Sequence, residues 1–423
     1  MEDDLKKISD GALRDENGHL CLEGVPLEKV AKDYGTPCYL YSHQVLTNRI
    51  NSLQAAFAPL SPLICYSVKA NSNLTILKLM KHYGLGLDVV SEGELRRAIK
   101  VGFPSMKIVF AGVGKTTQEI DLAVKHQIFC LTVENEEELA QVEERAIKNR
   151  SCLRCLLRLN LDIDIDTHHY VKTAKKESKF GLDLTTAARL LTRRKKWLGA
   201  RIVGIHFHLG SQIKETIGYE LALKKAKAFC QENNFTPEIL DIGGGFGIHY
   251  APQDQVCPIT TFASVIKEAL ARWAKVKLVL EPGRYLVGNS GFLLTEVLYI
   301  KQRPDGKTFV IVDAAMNDLV RPSFYNSYHH ILPVRKTLGG TFVADVVGPI
   351  CETGDYLARE RRLPGSLKRG DLLVIAGAGA YGFSMASNYN SRRRPCEILV
   401  QDKNTSLIRK RESFSDLWRL EEL

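Results

Sequence analysis

A lysine ends the otherwise apolar run Cys65-Tyr66-Ser67-Val68-Lys69. An ammonium there costs desolvation unless it is paired or used. An amine of lowered pKa in such a place can form a Schiff base with a carbonyl. Further on, HFHLGS places His206 and His208 on one face of an extended segment and adds Ser211 in the turn. The stretch DIGGGFG supplies three consecutive glycines, Gly243, Gly244 and Gly245. Their backbone amides can close around an anion with no side chain in the way. EPGRYL then sets Glu281 beside Gly283 and Arg284. A carboxylate next to an anion site is repelled unless a cation lies between them. A protonated pyridine nitrogen is such a cation. Amine, anion cradle, flat imidazole and carboxylate together describe a site for pyridoxal 5′-phosphate.

Other motifs point elsewhere and are weaker. FAGVGKTT (110–117) looks like the start of a nucleotide-binding loop. Counting back from Gly114 puts Val109, a strand residue, where the first glycine of Gly-x-x-x-x-Gly-Lys-Thr belongs. Ala111 and Gly112 are expected to stay small beside the cofactor. Thr116 or Thr117 is expected to cap a helix with Glu119 in its first turn. His206 and His208 could also serve a metal hydrolase, but such a site needs further ligands, and only Asp88 and Asp241 offer themselves. No metal is expected. Cys152 and Cys155 form one Cys-x-x-Cys without a second pair, which fits thiols on a buried strand better than zinc. The net charge of +10 comes with short basic runs, RRKK and RRR, and no nucleic-acid-binding pattern. The charged start MEDDLKKISD lacks the apolar core of a secretory signal, and no apolar run is long enough to span a bilayer. A cytoplasmic protein that binds neither nucleic acid nor membrane is expected.

These residues need a frame. Eight β-rich runs alternate with amphipathic stretches: LICYSV (63–68), LGLDVV (85–90), KIVFA (107–111), IFCLTV (128–133), LRCLLRL (153–159), IVGIHFH (202–208), EILDI (238–242) and KLVLE (277–281). Strands that alternate with helices pair in parallel, and eight of them suggest a (β/α)8 barrel. The strand ends, where this fold keeps its chemistry, are then Lys69, Asp88, Ala111-Gly112, Glu134, Arg158, His208, Gly243 to Gly245 and Glu281. After residue 285 the strands lose their intervening helices and predict a mostly antiparallel β-domain. The N-terminal segment DGALRDENGHLCLEGVPL is expected to join that sheet. The expected division is a barrel over 38–285 and a discontinuous β-domain from 1–37 and 286–423.

The sequence resembles the alanine-racemase-fold, pyridoxal-phosphate-dependent amino-acid decarboxylases along nearly its whole length. YSVKANSN, LDVVSEGEL, SKFGL, HFHLGSQ, DIGGGFGI and EPGRYLVGNSG carry the resemblance in order. MNDLVRPSFYNSYHHI, GPICETGD and GAGAYGFSMASNYNSR are similar to the branch that acts on meso-diaminopimelate. The resemblance implies release of CO2 and L-lysine, the last step of lysine biosynthesis. Lys69 would hold the cofactor, Asp88 would lie in its site and His208 would stack on its ring. Ser211, Gly243, Gly244, Gly245, Gly283, Arg284 and Tyr381 would surround the phosphate, and Glu281 would pair with the ring nitrogen. Arg284, Arg321, Tyr325, Glu352 and Tyr381 would contact the amino-acid substrate, and Cys351 would donate a proton. In this family Cys351 and Glu352 come from the partner subunit, which implies a homodimer. His169 and Ala174 stand where relatives usually show Pro and Gly, and Arg393 where Pro is common. A related decarboxylase of ornithine, arginine, D-lysine or carboxynorspermidine is the nearest alternative. A non-catalytic pyridoxal-phosphate carrier would lack the β-domain.

Overall fold

The computed structural model describes residues 2–163, 178–271, 273, 275–336 and 339–422. His169 and Ala174 lie outside them. The chain divides into two compact units. One comprises Ile50–Gly247 and Val256–Tyr285, the other Met1–Arg49, Ile248–Gln255 and Leu286–Leu423.

The first unit is the expected barrel. Strands β1 (Leu63–Ser67), β2 (Gly86–Val89), β3 (Ile108–Phe110), β4 (Cys130–Val133), β5 (Leu153–Arg158), β6 (Ala200–His206), β7 (Ile239–Asp241) and β8 (Lys277–Leu280) close in sequence order. Each pair is parallel, and β8 returns to β1 through Val279 and Leu280 against Leu63 and Ile64. Helices start where sequence chemistry can cap them. Asn73, Ser91, Thr116, Asn135 and Asp183 each accept a backbone N–H in the first turn of the helix that follows. Each such cap is worth about 1 kcal/mol and ends the preceding loop sharply.

The barrel interior explains where the polar residues go. Cys65, Val109, Cys130, Leu156, Val203, Ile239 and Val279 form one buried apolar cluster. Two residues further along a strand the side chain returns to the same face. From six of these positions that step leads to Ser67, Ala111, Thr132, Arg158, Asp241 and Glu281. On β6 the register shifts between Ile202 and Gly204, so the residue reached near that level is His206. The strand-end chemistry therefore rests on a dry layer that cannot be hydrated from below.

The second unit is built on a nine-stranded mixed sheet. Its long strand Gly291–Gln302 pairs antiparallel with Thr308–Val312, Leu372–Ile375 and Cys38–Ser42. Parallel pairs occur too, between Cys38–Ser42 and Cys396–Gln401 and between Thr308–Val312 and Thr341–Val347. The N-terminal strands do not join this sheet. Leu13–Glu16, His19–Leu22 and Val25–Pro26 form a three-stranded sheet of their own, behind a helix over Glu2–Ser9. The tight turn at Asn17 and Gly18, both left-handed, folds the first two strands onto each other. One antiparallel bridge, His19 to Arg335, with Leu20 N–H on the Val334 carbonyl at 2.8 Å, links the hairpin to the chain just after Ile331–Pro333. Of the cysteine pair, Cys155 is buried on β5, whereas Cys152 is exposed and precedes the strand.

Candidate active site

At the end of β1 the chain enters a short 3-10 turn over Val68–Ala70, which carries Lys69. Its ammonium donates to Oδ2 of Asp88, on β2, at 2.8 Å. Ser67 Oγ donates to the same oxygen at 2.7 Å and to the Glu281 carbonyl at 3.0 Å. Asp88 is fully buried. Burial first, and the charge of Glu281 second, push its carboxyl above the usual range. The ammonium and the hydroxyl oppose that rise.

Glu281 follows β8, and its Oε2 lies 3.2 Å from Nε2 of His206. Burial would raise the Glu281 carboxyl, but His206 foremost, with Lys69 and His208 behind it, brings the group down to about 2. Asp241, the β7 register partner of His206, goes the other way. Burial and then the Glu281 charge push it well above the carboxylate range, while its Oδ1 accepts Gly243 N–H at 2.9 Å. The two close carboxyls are thus pushed in opposite directions, one toward its ionised and the other toward its protonated form. The donor atoms of His206, Asp241 and Glu281 lie within 4.8 Å of one another; Nε2 of the imidazole is bonded to Glu281 and its Nδ1 has no hydrogen-bond partner among the described residues. His208 sits beyond the strand end. Its ring is held at about 3 by burial and by Lys69 and Arg158, so it is neutral.

The glycine turn after β7 has no room for side chains. A Cβ on Gly244 would lie 2.1 Å from the Glu281 carbonyl oxygen, and one on Gly245, at φ +105°, 2.2 Å from the Gly210 carbonyl oxygen. Gly244 N–H donates to Nδ1 of His208 at 3.2 Å, which ties the turn to that ring. Arg284, buried at the start of a one-turn helix, donates from Nε and Nη2 to Ser211 Oγ at 3.1 and 2.9 Å. A cavity of about 380 Å³ is lined by Lys69, Arg158, Phe180, His206, His208 and Glu281 among others; the glycine turn, Ser211 and Arg284 are not in its lining. That size suits a small organic cofactor.

The tempting Gly-Lys-Thr loop is something else. Lys115 is almost wholly buried and donates to the carbonyls of Gly112 and Thr132 at 2.6 Å and to Glu138 Oε1 at 2.7 Å. All three ammonium protons are accounted for, so none is left for a phosphate. Thr116 caps the helix over Thr117–His126 in a reciprocal capping box with Glu119. Ala111 is buried, and Gly112 adopts φ +111° at the cavity wall.

Three features fit pyridoxal 5′-phosphate on structural grounds. The buried Oε1 of Glu281 has no hydrogen-bond partner and can take a ring N–H. The glycine turn is closed to any Cβ. An amine and a neutral imidazole line the same cavity. Residues 44–288 match the family model described as pyridoxal-dependent decarboxylase, pyridoxal binding domain. The chain is 43% identical over 414 residues to a protein named diaminopimelate decarboxylase in Aquifex aeolicus, covering 97% of each. The crystal structure of diaminopimelate decarboxylase from Helicobacter pylori complexed with L-lysine superposes with a TM-score of 0.88 at 39% identity, covering 93% of this chain and 99% of that one. The corresponding M. jannaschii structure in complex with L-lysine gives 0.93 at 32% identity, with 98% and 99% covered. The chain belongs to the diaminopimelate decarboxylase family.

Of the substrate residues implied by membership of that family, Arg284 lies in the first unit and Arg321, Tyr325, Glu352 and Tyr381 in the second. Arg321 is buried at the start of a short helix over Arg321–Tyr325. Its Nη1 donates to Tyr250 OH at 2.8 Å and to His329 Nε2 at 3.0 Å, and its Nη2 to Ser327 Oγ at 3.3 Å. Tyr381 adopts φ +57°, a strained conformation for a tyrosine of the kind found at ligand sites. Cys351 and Glu352 are exposed in the isolated chain, with Cys351 N–H bonded to Asn390 Oδ1 at 2.8 Å.

Two partnerships escaped the sequence. β6 was expected to run to His208 but ends at His206, so the first histidine, not only the second, enters the site. The His-x-His spacing was visible; the bulge that turns His206 toward Glu281 was not. Glu134 and Arg158 form a buried ion pair at 2.7 Å, and Glu134 Oε2 also accepts Gly181 N–H at 3.0 Å. Arg158 in turn lies 4.5 Å over the Phe180 ring. Their positions at adjacent strand ends were the available signal.

Proposed function

We propose that this chain decarboxylates meso-2,6-diaminopimelate to L-lysine and CO2 with pyridoxal 5′-phosphate as cofactor. The observation that carries the reading is the buried Glu281–His206 pair in a cavity shared with Lys69, within a family of which a named member matches 97% of this chain.

The bound cofactor supplies a sink for the electron pair left when CO2 departs. The protein's part is to hold and to move protons. Lys69 would hold the cofactor covalently, with its amine kept in place by Asp88. Gly243, Gly244, Gly245, Ser211, Gly283, Arg284 and Tyr381 would hold the phosphate. Glu281, ionised chiefly through His206, would keep a proton on the ring nitrogen. His208, neutral, would lie against the ring and add no competing charge. Arg284 and Arg321 suit the two carboxylates of the substrate, since a guanidinium bonds a carboxylate in two places. Glu352 suits the distal ammonium, and Tyr325 and Tyr381 complete the substrate contacts. Cys351 gives a proton to Cα. Since Cys351 and Glu352 are exposed in a single chain, the reading has each subunit lend them to its partner in a homodimer. A site of this kind works in the cytoplasm, where amino acids are made. Among the described residues, no helix is long and apolar enough to cross a membrane.

A substrate panel tests the proposal. Purified protein loaded with pyridoxal phosphate is given meso-diaminopimelate, ornithine, arginine, D-lysine and carboxynorspermidine, and CO2 is measured. Release from meso-diaminopimelate alone is expected. Faster release from any other member of the panel refutes the assignment.

A further inference from the structure

His329 is fully buried, and both of its ring nitrogens are committed. Nδ1 lies 3.0 Å from the Ala376 carbonyl oxygen, which can only accept. Nε2 lies 3.0 Å from Nη1 of Arg321, which can only donate. The two contacts together allow one form of the ring, neutral with its proton on Nδ1. Tyr250 completes the arrangement. Its hydroxyl accepts from the same guanidinium nitrogen at 2.8 Å, its ring lies edge-on to the imidazole at 5.2 Å, and the guanidinium carbon sits 4.7 Å from that ring's centroid. Gly377, at φ +68°, leaves space for this stack, since a Cβ there would come within 3.0 Å of Tyr250 Cδ1.

An arginine that must receive a carboxylate needs its plane fixed before the substrate arrives. Otherwise binding costs the entropy of ordering it. Neutral acceptors can fix that plane without cancelling the charge. We propose that His329 is a positioning residue for the substrate, which it serves by fixing the Arg321 guanidinium through Nε2. This rests on the reading that Arg321 binds a substrate carboxylate.

Two amide variants separate positioning from structural support. In His329→Asn the side chain can still donate to Ala376 but no longer reaches Arg321. In His329→Gln an acceptor reaches the Nε2 position while the Ala376 bond is lost. Steady-state kinetics on the cofactor-loaded, full-length protein are compared for wild type, both variants and Arg321→Ala. The expected result is a KM for meso-diaminopimelate raised about tenfold in His329→Asn, the loss of one bond to a charged group. The expected kcat is within about twofold of wild type, with His329→Gln near wild type in both. Adding Arg321→Ala to His329→Asn should raise KM no further than Arg321→Ala alone. The reverse order, with His329→Gln impaired and His329→Asn normal, or equal effects in both, overturns the inference while leaving the Arg321 reading intact. An unchanged KM in Arg321→Ala overturns both.

Discussion

His206 Nε2 lies 3.2 Å from Oε2 of Glu281, and neither side chain is more than 4% exposed. A carboxylate so buried would be neutral on its own. The imidazole, helped by Lys69 and His208, favours its charged form, and that charge is what a ring nitrogen requires. Replacing Glu281 by Gln preserves shape and removes the charge. It should lower kcat by at least about a hundredfold, while cofactor binding, followed by visible absorbance, persists. Replacing His206 by Ala removes the foremost of the influences that lower the Glu281 pKa, so burial then raises it. The acid limb of kcat against pH should move to higher pH; an unmoved limb would show that His206 does not set the charge on Glu281.

Asp241 gives a stability prediction of opposite sign. Its folded pKa is raised, so between the ordinary carboxylate range and its folded value the native state binds a proton that the unfolded state has lost. Stability therefore falls as pH rises through that window, by up to about 1.4 kcal/mol per pH unit. Asp241→Asn is neutral throughout and can still accept Gly243 N–H. Denaturant unfolding of the cofactor-free protein should find the variant no less stable than wild type at pH 7, with the gap narrowing toward pH 5. A gap that widens as pH falls would mean that Asp241 is ionised in the fold.

The glycine turn makes a sterically simple case. A Cβ on Gly244 would meet the Glu281 carbonyl oxygen at 2.1 Å, and that atom belongs to backbone between β8 and the site. Gly244→Ala must displace one or the other. Cofactor affinity, titrated by absorbance, should fall by at least about tenfold, with the far-ultraviolet circular dichroism of the barrel retained. Wild-type affinity would remove the turn from the phosphate site.

Lys115 predicts stability without function. It and Glu138 are a buried ion pair, so removing one partner strands a charge. Lys115→Met should cost about 3–5 kcal/mol by denaturant unfolding, and adding Glu138→Gln should restore part of it. ATP should not change the melting temperature of either protein. A nucleotide-dependent rise in wild type would reopen the nucleotide-binding reading.

Much of the barrel could be read from the chain, because each strand and helix carries its own period and the caps at Asn73, Ser91 and Thr116 punctuate them. The strand-end positions of Lys69 and the glycine turn were also legible, but either alone fits a snorkelling lysine or a tight packing turn, and only the set of them pointed to a cofactor. His206 was not, because its role depends on a one-residue shift between Ile202 and Gly204 that periodicity does not mark. The fate of the N-terminal strands was hidden for a similar reason. Short alternating segments announce that they pair, not with whom, and here residues 13–26 make their own ladders and reach the rest of the unit through the single bridge from His19 to Arg335. The His329 contact to Arg321 depends on a backbone carbonyl at Ala376, 47 residues away, which no side-chain pattern reports.

The central claim is a carbon–carbon bond broken at a site that depends on Lys69. Purified protein loaded with pyridoxal phosphate should convert meso-diaminopimelate to L-lysine and CO2 in equal amounts. Lys69→Ala should form neither and should lack the visible absorbance of lysine-bound cofactor. Lysine formation undiminished in Lys69→Ala, or none from the wild-type protein, would contradict the account.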